Sequence, residues 1–396
     1  MPLTRRRALQ AGALTLASTT LAPWTAARAD RTTGISDGEI LLGTHQDLSG
    51  PIVALGTFIR DGLNLAADDV NAAGGIHGRK IRLLTEDNGF DPRKAVLATQ
   101  KLVEKDKVFA MIATLGSVTT QASMDIALGA GVPLLFAATP ADFTYAPFHR
   151  LKFGLAVPYG EQVRAGVKYM VEQKGKKRLG ILYQDDETGL QVLRATEEQL
   201  KAMNMTLAEK TSYKRGDINF SSQIARLRAA NVDLVVLGTI IRETAGALQE
   251  ARKIGWSVDM LGNQASMNSS VVKIGGEATE GFYATSPALP LATQEQTPAL
   301  QALLKRYRDK YGKEPEDGMI FGYQAMMLFA EGARRAGPKL SVDSLVAGLE
   351  QVKNWTTVLA AVPATYGPND RLASRSAYLL QVRGGRFVPV SAALTY

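Results

Sequence analysis

Two hydroxyl-bearing residues occupy equivalent places behind two short apolar runs. Val108–Ala113 leads into Leu115-Gly116-Ser117, and Pro133–Phe136 leads into Ala137-Ala138-Thr139-Pro140. Runs of that length and character read as buried parallel strands, and Val118–Leu128 reads as a helix. Ser117 is then expected at the N-cap of that helix, beside N–H groups that have no intrahelical acceptor and lie at a positive helix end. Such an end holds anions, and a carboxylate suits it. Leu115, Ala137 and Ala138 would add backbone groups, and Thr139 a second hydroxyl. Taken alone, both stretches read equally well as routine caps.

Other chemistry is scarce. No Gly-x-Gly-x-x-Gly follows a strand, and neither a phosphate-binding loop nor a nucleophile elbow is present. His45, His77 and His149 follow no metal-ligand spacing. His45 falls at a strand end, either facing a cleft or sitting in an ordinary loop; His77 lies in a Gly-rich turn and reads as a surface residue. Asp68-Asp69 reads as a solvated helix face. Asp185-Asp186-Glu187 follows a strand and could border a cleft or approach a metal, although loops there are commonly acidic. An enzyme using Ser117 as nucleophile lacks an evident base. With no cysteine there is no disulfide, no thiolate and no Cys-based metal site. The expectation is therefore no catalysis, no cofactor and no metal.

Elements that would position these residues alternate along the chain. Glu39–Gly43, Lys80–Glu86, Val108–Ala113 and Pro133–Phe136 read as strands, with helices between them. Ile59, Leu63, Ala66, Ala67 and Val70 keep helical spacing, and Asp91-Pro92 opens a helix with Asp as N-cap. From about Phe153 a second series begins, with strands at Arg178–Tyr183, Thr206–Thr211, Leu234–Leu237 and Val258–Leu261. Helices are expected near 160–173, 189–203, 218–230 and 243–254, then at 297–311, 320–336 and 342–352. A hairpin, Ala377–Val382 with Arg386–Val390, closes the chain. Alternation of this kind gives α/β lobes with parallel central sheets and a cleft at the carboxyl ends of their strands.

The first 29 residues read as an export signal rather than as fold. Arg5-Arg6-Arg7 precede a modestly apolar stretch, and Ala27-Arg28-Ala29 offers a cleavage site. Thr4-Arg5-Arg6 before a weakly hydrophobic segment points to the twin-arginine route, with ordinary secretion as the alternative. The segment carries four arginines and no acid, half of the formal charge of +8. What remains implies no basic surface for nucleic acid. The protein is expected to be soluble, monomeric and located in the periplasm.

Several stretches together resemble the periplasmic binding proteins of the branched-chain amino acid (Leu/Ile/Val) family. They are Leu48-Ser49-Gly50-Pro51 with Leu55-Gly56, Asp69 through Lys80, Glu86-Asp87-Asn88 and Asp91-Pro92. The resemblance spans roughly residues 37–392 and implies the type I periplasmic-binding fold: two Rossmann-like lobes joined by three crossover segments. It places these near Phe153–Ala156, Phe282–Thr285 and Ala364–Pro368. Lobe 1 would then comprise 30–154 and 283–364, and lobe 2 would comprise 155–282 and 365–396.

The resemblance further implies that Ser117 and Thr139 hold the ligand's carboxylate, flanked by the backbone of Leu115, Ala137 and Ala138. Across the cleft it implies Tyr159, Thr188, Ile240 and Gln264. Here the chain departs from the family: Gln264 stands where amino-acid binders carry an acid, and Tyr159 where an Asp is frequent. A buried ammonium without a counter-charge costs several kcal/mol. Glu243 or the Asp185–Glu187 run could compensate. The departures nevertheless favour an aromatic or other organic acid as ligand, with a branched-chain or related amino acid as the alternative. The implied partners are the permease and ATPase subunits of an ABC importer in the inner membrane; a ligand sensor for a signalling partner is the other class.

Overall fold

The computed structural model describes residues 31–214 and 216–396, and the export segment read at 1–29 lies outside them. The first lobe opens with β1 (Glu39–Gln46), α1 (Val53–Ala72), β2 (Lys80–Asp87), α2 (Pro92–Gln100), β3 (Ala110–Ile112), α3 (Ser117–Gly129), β4 (Leu134–Leu135) and β5 (Lys152–Phe153). Its five strands run in the order β2-β1-β3-β4-β5, all parallel. Strand β3 is buried along its whole length and edge strand β2 is half exposed, as expected of central and outer positions in a covered parallel sheet. Asp91 accepts from the N–H groups of Arg93 and Lys94 with Pro92 at the first helical position, the cap its spacing predicts.

The chain then builds the second lobe. Its elements are α4 (Tyr159–Glu172), β6 (Leu179–Gln184), α5 (Glu187–Ala202), β7 (Glu209–Tyr213), α6 (Ser221–Ala229), β8 (Leu234–Gly238), α7 (Ile241–Lys253), β9 (Asp259–Gly262), α8 (Ser269–Gly275) and β10 (Tyr283–Ser286). Three helices return to the first lobe: α9 (Pro298–Tyr311), α10 (Asp317–Arg335) and α11 (Val342–Glu350). The closing hairpin, β11 (Tyr378–Arg383) and β12 (Arg386–Pro389), completes a seven-stranded sheet in the order β12-β11-β10-β9-β8-β6-β7. Antiparallel pairing is confined to the hairpin and its junction with β10. Among the described residues no helix is long and apolar enough to cross a membrane.

Two of the three expected crossovers lie elsewhere. Tyr283–Ser286 pairs with β9 on one side and β11 on the other, so it belongs to the second sheet and cannot be a connection. Its polar half disguises it: Thr285 and Ser286 are buried, but their hydroxyls donate to the carbonyls of Gly262 and Ala288. The second crossover follows at Pro287–Leu289, which bonds Ala360 and Val362 of the first lobe. The third is also later, because Tyr366 and Ala373 are part of the first lobe's core. It lies against the first crossover, where Gly154 N–H donates to Arg371 O and Ala373 N–H to Gly154 O, at 2.7 and 2.9 Å. We therefore propose 31–154 with 288–373 as lobe 1, and 155–287 with 374–396 as lobe 2, in place of boundaries at 282 and 364.

The first lobe's core is closed by α1 and α10. They meet through glycines: a Cβ on Gly62 would lie 2.3 Å from Met319 O, and one on Gly322 would lie 2.0 Å from Ile59 O. Around them pack Ile59, Leu63, Tyr307 and Phe329, all buried. The second sheet separates two further clusters, with Leu237, Leu248 and Phe282 on one face and Val163, Ile181 and Leu261 on the other. Loops from the carboxyl ends of both sheets meet: Gln191 on α5 donates to Asp142, after β4, at 3.0 Å. The cleft expected from the alternation of strands and helices belongs at that junction.

Candidate functional site

Strands β3 and β4 end alike. Ala113 and Phe136 directly follow them with φ of 49° and 59°, a left-handed conformation that costs a non-glycine residue about 1–3 kcal/mol and tends to cluster at functional sites. Each turns the chain off the sheet into one of the two hydroxyl-bearing loops. The loops are joined by a bridge between Leu115 and Ala138 and by Ala138 N–H donating to Thr114 O at 2.8 Å. Gly116 follows with φ 99°, and a Cβ there would lie 2.6 Å from Thr119 Oγ1. Only glycine fits that position.

Gly116, not Ser117, is the N-cap of α3, and no side chain caps the helix. Ser117 is the first helical residue, and its freed Oγ lies 2.5 Å from Thr139 Oγ1. The expectation of a capping serine is thus corrected, with a consequence for the site. The two hydroxyls are paired with one another, next to helix N–H groups that no side chain occupies. Ser117 is exposed, whereas Thr139, Leu115 and Ala137 are buried and Ala138 is partly buried.

A polar chain under these loops was not read from the sequence. Asn88 donates through Nδ2 to His45 Nδ1 at 2.9 Å and to Leu115 O at 3.1 Å. His45 Nε2–H is left to donate to Ser123 Oγ at 3.2 Å, and Ser123 donates to Thr119 O at 2.9 Å. His45 itself is fully buried, and burial lowers its pKa to about 4. It is neither a cleft residue nor a loop residue but a neutral tie between β1, the loop after β2, and α3. Since the unfolded chain takes up this proton near pH 6.5 and the folded one only near 4, stability is full above 6.5 and falls as pH drops through that window. At pH 5 the loss from this one group is about 2 kcal/mol. Urea titrations at pH 7 and pH 5 should show it, and His45→Gln should remove that part of the pH dependence; an identical pH slope in the variant would contradict the role.

The second-lobe candidates sit on separate elements. Thr188 is the second residue of α5 and Ile240 is the N-cap of α7, both partly buried at strand carboxyl ends. Gln264 is exposed after β9, and its N–H donates to Gln162 Oε1 at 3.1 Å. Gln162, which the sequence reading missed, is fully buried and also donates to Val157 O at 2.7 Å. It thereby couples Gln264 to the first crossover. Tyr159 opens α4 and packs against the cluster around Val163. Burial pushes its hydroxyl up to about 12, so it stays protonated and brings no counter-charge.

The acidic candidates part company. Asp186 caps α5, accepting from Thr188 and Gly189, and takes a further bond from Gln184 Nε2. Asp185 is exposed, and the Glu187 side chain lies outside the described residues. Among the described residues no three acidic or histidine side chains gather as a metal site. His77 is exposed with its ring on Arg334 O, and His149 accepts from Leu151 N–H. Glu243 differs from these: on the first turn of α7 it is only 6% exposed, and its Oε2 has no hydrogen-bond partner.

These features match a known family. The periplasmic binding protein profile covers residues 39–386. The chain is 28% identical over 265 residues to the Leu/Ile/Val-binding protein of Escherichia coli (strain K12), covering 67% of this chain and 72% of that one. Among solved structures, a branched chain amino acid ABC transporter protein from Thermus thermophilus with bound valine superposes with a TM-score of 0.77 at 17% identity, over 91% of this chain and 98% of the other. A fatty acid ABC transporter substrate-binding protein from Thermomonospora curvata gives 0.74 at 24%, over 92% and 94%. The chain belongs to the periplasmic binding protein family, and is a binding protein rather than an enzyme.

Proposed function

We propose that this protein captures a branched-chain or related small amino acid in the cleft for an ABC importer. The observation that carries the reading is the Ser117–Thr139 hydroxyl pair at the uncapped start of α3. One carboxylate can accept from both hydroxyls while also meeting the helix N–H groups, which suits it better than a neutral or cationic group. The family relatives named for leucine, isoleucine and valine support the amino acid over the aromatic or other organic acid read from Gln264 and Tyr159.

Capture needs no chemistry. The ligand docks on Leu115, Ser117, Ala137, Ala138 and Thr139 of the first lobe, and the second lobe closes over it by bending at the crossovers. Closure is favoured only to the extent that the second lobe itself binds the ligand, through Tyr159, Thr188, Ile240 and Gln264. The closed monomer is then the form offered to permease and ATPase subunits. Export through residues 1–29, by the twin-arginine or general secretory route, would place it in the periplasm.

A monocarboxylate is the second reading, favoured by the uncharged Gln264 and Tyr159. Calorimetric titration decides between them: leucine, isoleucine or valine should bind with Kd of ~10 µM or tighter, about −7 kcal/mol, and benzoate should give no heat. Binding of benzoate in place of the amino acids would overturn the proposal.

A further inference from the structure

The seven-stranded lobe contains a buried carboxyl group, one oxygen of which the fold leaves without a partner. Glu243 is 6% exposed, its Oε2 has no hydrogen-bond partner, and no Lys, Arg or His pairs with it among the described residues. Buried carboxylates are ordinarily paired or bonded, because removing a charge from water is costly without compensation. Elsewhere the chain obeys this rule. Asp61, 1% exposed, is held by Arg60, Lys313 and Tyr307, and Asp47, fully buried, accepts from the N–H groups of Ser49, Gly50 and Ile52.

Position tells what the carboxylate is for. It lies on the turn of α7 next to Ile240, at the carboxyl end of β8 and so on the cleft side of the sheet. Helical spacing puts Glu243 in line with Gly246 and Glu250. Gly246 abuts the Phe220 ring and Glu250 accepts from Ser221, so that stripe is filled by α6 lower down. Glu243 is its last member toward the strand carboxyl ends. The positive end of α7 eases the burial of an anion but supplies no bonding partner for Oε2.

We propose that Glu243 receives the ligand's ammonium group, taking over the counter-charge that Gln264 does not provide. This rests on the amino-acid reading above. Lobe 1 would then hold the carboxylate and lobe 2 the ammonium, so a zwitterion bridges the cleft. The ammonium meets Glu243 only when the lobes shut, and that pairing is what draws them together.

The test titrates leucine and its deaminated analogue 4-methylpentanoate into the wild type, Glu243→Gln and Ser117→Ala. The wild type should prefer leucine by at least about 100-fold. Glu243→Gln should bring the two within about 3-fold of each other by weakening leucine alone, whereas Ser117→Ala should weaken leucine without removing the preference. Ligand-free Glu243→Gln should melt no lower than wild type, since no hydrogen bond to Oε2 is lost; a purely structural glutamate would make it melt lower. Full leucine preference in Glu243→Gln overturns the ammonium assignment and leaves the function standing. A wild type that binds 4-methylpentanoate but not leucine overturns both.

Discussion

The Ser117→Ala, Thr139→Val double variant is expected to bind its amino acid at least ~100-fold more weakly than wild type, with its melting temperature nearly unchanged. Each hydroxyl bond to a charged acceptor contributes about 1.5–3 kcal/mol, so removing both takes away about 3–6 kcal/mol, or two to four decades in Kd. The fold should tolerate the change. Ser117 does not cap α3, its hydroxyl bonds that of Thr139, and valine preserves the shape of the buried Thr139. Removing both partners together also avoids stranding a single hydroxyl. Calorimetry gives the affinity and a thermal melt the stability; unchanged affinity would refute the carboxylate site.

The second large effect concerns the scaffold behind that site. Gly322→Val should be strongly destabilising, by more than about 3 kcal/mol. A Cβ at 322 would stand 2.0 Å from Ile59 O and 2.9 Å from Leu63 N. These are backbone atoms in mid-helix, so relief requires α1 and α10 to move apart, opening the core around Leu63 and Phe329. Gly129→Ala is the control, because nothing lies within 4 Å of its added Cβ. Thermal melts should separate the two variants by several degrees or more. A Gly322→Val protein melting with wild type would mean that the helices do not pack this closely.

Much of this architecture is legible in the residue order, because apolar periodicity and caps are local signals. The Asp91-Pro92 start, the fully apolar β8 and the paired glycines of the last hairpin each carry their own reason. What escaped depended on partners distant in sequence. Strand β10 is half polar and is a strand only because β9 and β11 flank it. The third crossover comes later than the residue order suggests because Tyr366 packs back onto Phe136 and Phe153, and its hydroxyl donates to Gly154 O.

The site divides in the same way. The pairing of Ser117 with Thr139 is foreshadowed by their like positions after two strands, although Gly116 and not Ser117 takes the cap position. His45, Asn88 and Ser123 form one chain only after three elements converge. Gln162 and the unanswered Oε2 of Glu243 are facts of burial, which composition and spacing do not encode. Gln264 and Tyr159 point toward an organic acid because neither brings a counter-charge, whereas the relatives are named for leucine, isoleucine and valine.

The central claim is a clamp that grips an amino acid by its carboxylate, and the most direct measurement is titration of leucine, isoleucine and valine against their amides. Removing the carboxylate's charge takes away what the Ser117–Thr139 pair and the α3 N–H groups are arranged to hold. At least one of the three amino acids should bind with Kd near ~10 µM or tighter while its amide gives no measurable heat. An amide that binds as tightly as its parent acid would contradict the account.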